Sequence, residues 1–401
     1  MPSAESDEPL RLVPASSDAR AVAQQLACDF ATTAVERDRQ GGTAKRERDL
    51  LRQSGLLALS VPTELGGGGA SWSEVLEVVR ILARVDGSLA HLYGFHHLML
   101  ATARLFGASE QWRPLLRETV REQWFWGNAL NPLDARTTLS RHGEGFVIDG
   151  AKSFCSGSVD SDMLIVSALR PPETRLAIAA IPTRRSGIVV QGDWDNMGQR
   201  QTDSGGVTFT RVRVEPGELL DTPGPLGSTF ASLRPCIAQL ILANVYLGLG
   251  EGALAEARAY TQSARRAWIH SSAASATEDP YVLHRYGELW LELESARLLS
   301  DRAASLLSAA WLEEDRLTAR ARGETAIAIA AAKAGTTRAG LSVASGMFDV
   351  MGARATASSA RFDRFWRNLR THTLHDPVDY KFRELGDYAL NERLPTPSFY
   401  S

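Results

Sequence analysis

The spacing of apolar residues divides the chain into three stretches. From Ser17-Asp18, a pair able to cap a helix, ARAVAQQLACDFATTAVERDR carries apolar residues at helical intervals. RERDLLRQSGLLA predicts a second helix. PTELGGGG then turns the chain, and Ser71 or Ser73 opens a long helix through WSEVLEVVRILARVD. SLAHLYGFHHLMLATARLF follows as another apolar helix. Near Asn128 the pattern changes. RTTLSRHGEGFVIDGAKSFCSG, DMLIVSAL, RLAIAAIP, GIVVQGDW and GGVTFTRVRVEP are short β-branched runs cut by Gly, Pro and Asp, which predict an antiparallel β-domain. After EPGELLDTPGP the helical period returns in three long amphipathic segments, the last ending at SGMFDVM. The expected organisation is a tail over 1–16, a helical domain over 17–127, a β-domain over 128–225 and a helical bundle over 226–401.

Composition narrows the function classes. At 401 residues and 44% hydrophobic, the chain can bury a full core. A net charge of −3, with cations scattered rather than blocked, provides no surface for nucleic acid. Cys28, Cys155 and Cys236 are distant from one another and odd in number, so neither a disulfide framework nor a zinc spacing is present, as fits a reducing cytoplasm. The first residues, MPSAESDEPLRLVP, lack the apolar segment of a signal peptide, and runs such as CIAQLILANVYLGLG read as too short or interrupted to span a bilayer. The expectation is a cytoplasmic protein without a membrane segment.

Several familiar signals fail. Gly248, Gly250 and Gly252 approach a dinucleotide fingerprint, but no strand precedes them, and small residues there let helices pack closely. Gly66 to Gly69 are followed by no Gly-Lys-Ser/Thr, which excludes a P-loop. His91, His96 and His97 share one apolar helix; such residues are ordinarily satisfied core groups, although His91 and Phe95, four apart, would face one pocket wall.

The densest run of reactive side chains is RTHTLHDPVDYK, residues 370–381. His372 and His375 could share a metal, but the further ligands a first-row metal needs are absent, and no metal is assigned. Asp376-Pro377 predicts an N-cap and first helical residue for a last helix, PVDYKFRELGDYAL. That places His375 just before a helix N-terminus, where the dipole opposes protonation and the Asp376 carboxylate favours it. A neutral His375 there would be a proton acceptor; a solvated linker histidine is the alternative.

The α–β–α order, with PTELGGGG, DGAKSFCSG and MGQRQTDSGGVTFTRVRV in sequence, resembles the acyl-CoA dehydrogenase superfamily over nearly the whole chain. The fold class implied is α+β: an N-terminal helical domain, a central β-domain and a C-terminal bundle. AHLYGFHH, KSFCSG, RTHTLHDPVDYK and LPTPSFYS look most like the two-component flavin-dependent monooxygenases of the dibenzothiophene monooxygenase type. The resemblance implies reduced FMN (FAD being the other candidate) from a separate flavin reductase, reaction with O2 through a C4a-hydroperoxyflavin, and oxygenation of a small aromatic or heteroatom-containing substrate by a homotetramer, a dimer of dimers. An acyl-CoA dehydrogenase would place a catalytic glutamate in a Tyr-Glu-Gly stretch where this chain has Leu374-His375-Asp376-Pro377. Other readings are an acyl-CoA dehydrogenase, an N-oxygenase of an amino sugar, another natural-product tailoring enzyme, or a catalytically silent binding subunit.

Position by position, the resemblance implies that Ser156 sits near flavin N5 and C4a, with His91 and His375 facing the oxygen side. Lys152, Ser153 and Phe154 would line the flavin, and Asn128, with Asn131 as competitor, would hold its ring edge. Trp194 would wall the flavin or substrate pocket. Arg266, or its neighbour Arg265, would reach the phosphate of flavin in a neighbouring subunit, and Arg354 would lie near that phosphate. Phe95 stands where close relatives place a tyrosine, so the substrate pocket loses a hydroxyl.

Overall fold

The computed structural model describes residues 16–171, 175–263 and 266–401. All of the expected tail except Ser16, and Arg265, lie outside the described residues. The N-terminal part comprises α1 (Ser16–Ala31), α2 (Ala34–Gln40), α3 (Lys45–Gln53), α4 (Trp72–Ala83), α5 (Gly87–Phe106) and α6 (Ser109–Glu122). Ser71 opens α4 with a capping box: its Oγ accepts from the Glu74 amide while its own amide donates to the Glu74 carboxylate.

A seven-stranded sheet follows: β1 (Trp126–Ala129), β2 (Thr138–His142), β3 (Gly145–Lys152), β4 (Met163–Arg170), β5 (Arg175–Pro182), β6 (Ile188–Val190) and β7 (Val207–Val214). The pairs β2–β3, β3–β7, β6–β7 and β4–β5 are antiparallel, as the short runs predict. The sheet as a whole is mixed, because β1 runs parallel to β4, pairing Trp126–Ala129 with Met163–Val166. The long excursion through β2 and β3 supplies the crossover that a parallel pair requires.

The bundle is α7 (Leu233–Ser263), α8 (Pro280–Glu313), α9 (Ala319–Met351), α10 (Asp363–His372) and α11 (Asp379–Asn391). Contrary to the expectation from its apolar run, α7 is long and apolar enough to cross a membrane; 83% of its apolar window is buried inside the fold, and it serves as the central core helix. It packs against α4, α5, α8, α9 and α10. A β-carbon on Gly248 would stand 2.6 Å from the Arg80 carbonyl oxygen, and one on Gly252 2.0 Å from that of Arg84, so these glycines admit α4 rather than a nucleotide. Gly94 does the same between α5 and α7, where a β-carbon would meet Ile241 at 2.4 Å.

Candidate active site

Helix α5 begins at Asp86, whose carboxylate accepts from the Leu89 amide and pairs with the buried Arg37. One turn on, His91 is buried, its ring centroid 4.1 Å from that of Phe95 and 4.5 Å from that of His372 on α10. His91 Nε2 lies 3.0 Å from Ser156 Oγ, while its Nδ1 is buried without a partner. Burial, aided by charge on His375, pulls the His91 pKa down to about 3, so the ring is neutral at working pH.

His96 and His97 differ in kind from His91. His96 Nε2 donates to the Leu57 carbonyl (2.7 Å) and its Nδ1 accepts from the Trp126 amide (3.2 Å). His97 Nε2 donates to the Leu56 carbonyl (3.1 Å) and its Nδ1 accepts from Ser60 Oγ (2.7 Å). Both rings are saturated neutral core groups that fasten α5 to the 56–60 turn.

Ser156 sits in the loop after β3. That loop is stitched to β1 by Asn128 N–H to Ser156 O (2.9 Å), and to the 199–206 loop by Cys155 N–H to Gly205 O and Gly157 N–H to Thr202 O. Asn128 is buried, and its Oδ1 accepts from the Leu130 amide. The Asn131 side chain instead closes a local turn onto Leu133 N–H. Phe154, 60% exposed, is held at φ +58°, a left-handed conformation that costs a bulky residue about 1–3 kcal/mol. Its ring meets Trp194 edge-on, centroids 6.1 Å apart, and Trp194 Nε1 donates to the Gln199 carbonyl at 2.8 Å.

Lys152 and Ser153, expected beside the flavin, bond to the 131–134 loop. Lys152 is buried and donates to the Asn131 carbonyl at 3.0 Å and to that of Asp134, while Ser153 donates through N–H and Oγ to the Asp134 carboxylate. Both pin the 131–134 loop. Arg266 and Arg354 are exposed, in the loop after α7 and the turn after α9, and neither joins the His91 cluster within the chain.

The turn between α10 and α11 corrects the capping expectation. Val378, not Asp376, precedes the first residue of α11, and no side chain caps it. The Asp376 carboxylate turns into the bundle instead, 3.0 Å from His375 Nδ1 and 3.3 Å from Lys333 Nζ on α9, with Gln239 of α7 also bonded to it. The physical reason is priority. Lys333 is 1% exposed and needs a counter-charge, whereas the exposed first turn of α11 can be capped by water. Burial pulls Lys333 down to about 8 against the Asp376 charge. Burial also pushes the Asp376 carboxyl up, but His375 and Lys333 together hold it well below the carboxylate range. The ionised carboxylate accepts the Nδ1–H of His375, so Nε2 is the ring nitrogen that Asp376 does not engage, on a half-exposed ring.

His372, three residues before His375 in the sequence, is buried against His91. Its carbonyl accepts from Tyr246 OH at 2.7 Å and its Nδ1 has no partner. Lys333, Gln239 and Tyr246 carried no motif; a lysine within TAIAIAAAKAGTT, an apolar helical run, is the one signal that could have exposed the ion pair.

These residues fit a flavin. Phe154 is held exposed at a backbone cost two residues before Ser156, and His91, in contact with Ser156, and His372 each keep a buried imidazole nitrogen without a partner.

Comparison with known proteins agrees. Residues 16–123, 127–212 and 240–380 match the acyl-CoA dehydrogenase N-terminal, middle and C-terminal domain models. The chain is 59% identical over 385 residues to the "Probable FMNH2-dependent monooxygenase SfnC" of Pseudomonas putida, spanning 96% of this chain and 97% of that one. The structure of methanesulfinate monooxygenase MsuC from Pseudomonas fluorescens superposes with a TM-score of 0.94 at 59% identity, over 95% of this chain and 99% of that one. FMN-bound TdsC from Paenibacillus sp. A11-2 superposes with a TM-score of 0.91 at 44% identity, covering 96% of this chain and all of that one (100%). The chain therefore belongs to the acyl-CoA dehydrogenase family. Within that family it belongs to the FMN-dependent, two-component monooxygenases of the dibenzothiophene monooxygenase type, as the motifs of its sequence suggest.

Proposed function

We propose that this enzyme oxygenates the sulfur atom of a small organosulfur compound, with alkanesulfinates the first class to test and fused aromatic thioethers the second. The substrate class is supported by the relatives named for methanesulfinate and FMNH2 at 59% identity. The observation that carries the chemistry is the buried contact of His91 Nε2 with Ser156 Oγ, beside the exposed Phe154.

Bound reduced FMN supplies the electrons with which O2 is activated. Overall, one oxygen atom joins sulfur, the other leaves as water, and FMN is released oxidised. In this reading Phe154 and Trp194 wall the ring, and the Asn128 amide holds its edge. Ser156 and the neutral His91 present hydrogen bonds without adding charge. His375, its Nδ1–H fixed by Asp376, takes up or returns a proton at Nε2. Phe95 adds apolar surface and no hydroxyl. Arg266 and Arg354, exposed guanidinium forks suited to a phosphate dianion, serve flavin at a boundary between copies in a homotetramer. The fixed histidines and excluded water keep the reducing equivalents from being lost as H2O2. A cytoplasmic flavin reductase is the source of reduced FMN.

Against dehydrogenation stands the Asp376 carboxylate, committed to Lys333 and His375 and lacking the freedom of a general base. The test is a product assay with reductase, NADH, FMN and O2 on methanesulfinate, longer alkanesulfinates and dibenzothiophene. Oxygenated product from at least one sulfur substrate is expected; none, together with reduction of bound flavin by an acyl-CoA, overturns the reading.

A further inference from the structure

Behind Ser156 three more polar groups stand in line, all buried. Ser156 Oγ lies 2.7 Å from Ser204 Oγ, Ser204 Oγ donates to Thr202 Oγ1 at 2.8 Å, and Thr202 Oγ1 donates to the Gln199 carbonyl at 3.0 Å. We infer that Thr202 and Ser204 are positioning residues that, anchored on the Gln199 carbonyl, form a one-way hydroxyl relay fixing which nitrogen of His91 carries its proton.

A count of protons sets the direction of the relay. A carbonyl oxygen only accepts, and each hydroxyl has a single proton to give. The Thr202 proton is committed to Gln199 O, so Thr202 Oγ1 receives the proton of Ser204. Ser204 in turn receives that of Ser156. Ser156 then has only a lone pair to offer His91, and Nε2 must supply the hydrogen. The bare lone pair of His91 is thereby set on Nδ1, the nitrogen that is buried without a partner. Reversing the relay would strip Gln199 O of the Thr202 proton and leave an Nδ1–H donor buried and unmet, the costlier of the two orphans.

The anchor is built to stay in place. Gln199 holds a left-handed backbone (φ +53°), its amide donates to Asn368 Oδ1 at 2.6 Å, and its carbonyl also accepts from Trp194 Nε1. Asp203, also left-handed (φ +47°), is gripped by Arg48 Nη1 and Thr43 Oγ1, each at 2.9 Å. Arg48 is fully buried and comes from α3, whereas Asn368 comes from α10. The relay loop is thus clamped from both helical parts, and the proton on His91 reports that all three parts of the fold are seated.

The inference rests on the proposed use of His91 and Ser156, yet it can be tested without flavin. Protein carrying ¹⁵N-labelled histidine is measured by solid-state NMR with no flavin present, and the His91 signals are assigned by their loss in His91→Gln. The wild type should show a protonated Nε2 and an unprotonated Nδ1. In Thr202→Val the Ser204 proton loses its acceptor and turns to Ser156, whose own proton turns to His91, so the two ring signals should exchange character. Thr202→Ser should restore the wild-type pattern. A wild-type His91 protonated on Nδ1 overturns the relay, and this arm does not depend on the folding of Thr202→Val. So does a folded Thr202→Val that keeps Nε2–H. If the tautomers behave as stated and no sulfur substrate is oxygenated, the relay stands and the proposed reaction fails alone.

Discussion

Lys333 and Asp376, 43 positions apart, form an ion pair in the interior of the bundle, and the same carboxylate oxygen that meets Lys333 also holds His375 Nδ1. The surface-facing histidine is therefore aimed by a charge whose partner lies deep in the core. Lys333 also stands 5.0 Å from the Tyr246 ring centroid, and Tyr246 OH reaches the His372 carbonyl, so one small set of side chains orients both histidines of the 370–381 segment.

Lys333→Met should leave the Asp376 charge buried without its cation and cost roughly 3–5 kcal/mol, read as a lower urea midpoint. Adding Asp376→Asn removes that charge and should recover a large part of the loss. Two losses that simply add would show that the pair is not coupled.

Asp376→Asn alone should affect turnover more than binding. The amide cannot hold the His375 Nδ1–H as the carboxylate does, so kcat should fall about tenfold or more, worth ~1.4 kcal/mol or more, while KM for the sulfur substrate changes little. Steady-state kinetics with excess reductase separates the two. A rise in KM at constant kcat would place Asp376 in substrate binding instead.

Phe154→Gly should part stability from function. The residue is largely exposed and left-handed, so glycine removes strain, and the protein should be as stable or up to about 1 kcal/mol more stable. Affinity for FMN should fall, measured by fluorescence quenching. A destabilised variant that binds FMN normally contradicts the role given to Phe154.

Stability should depend on pH through four buried histidines. His91, His96, His97 and His372 all have depressed pKa values, chiefly from burial, with His91 at about 3 and His96 at about 4. Unfolded, each takes up a proton near pH 6.5; folded, they do not. Their contribution is therefore complete above about pH 6.5 and is lost as pH falls below it, by up to about 1.4 kcal/mol per pH unit for each histidine. The urea midpoint should drop clearly between pH 7 and pH 5. An unchanged midpoint would mean that these rings protonate in place.

How far the sequence could be read follows from what each residue depends on. The helices α4, α5, α8 and α9 open at the local caps Ser71, Asp86, Asp279 and Thr318, and Glu74 completes a capping box at α4. Ser156, His91 and Phe154 stand out in the sequence because they sit in the segments that carry the family resemblance, and the structure brings the first two into contact. The Asp376 side chain was misread, since a local Asp-Pro signal cannot register that a lysine on another helix needs its charge. The hydrogen bonds of Lys152 and Ser153 to Asp134 were out of reach, because no pattern links the end of β3 to the 131–134 loop. The parallel pairing of β1 with β4 and the Ser156–Ser204–Thr202 line were equally out of reach, being contacts between segments with no shared pattern.

Oxygen transfer to sulfur at the site of His91, Ser156 and His375 is the proposed reaction. The most direct test is a single turnover of the enzyme with chemically reduced FMN, ¹⁸O2 and an alkanesulfinate, followed by mass spectrometry of the product and an assay for H2O2. One ¹⁸O atom per product, lost in favour of H2O2 in Ser156→Ala, is the predicted result. Unlabelled product, or the same labelled yield from Ser156→Ala as from the wild type, would contradict it.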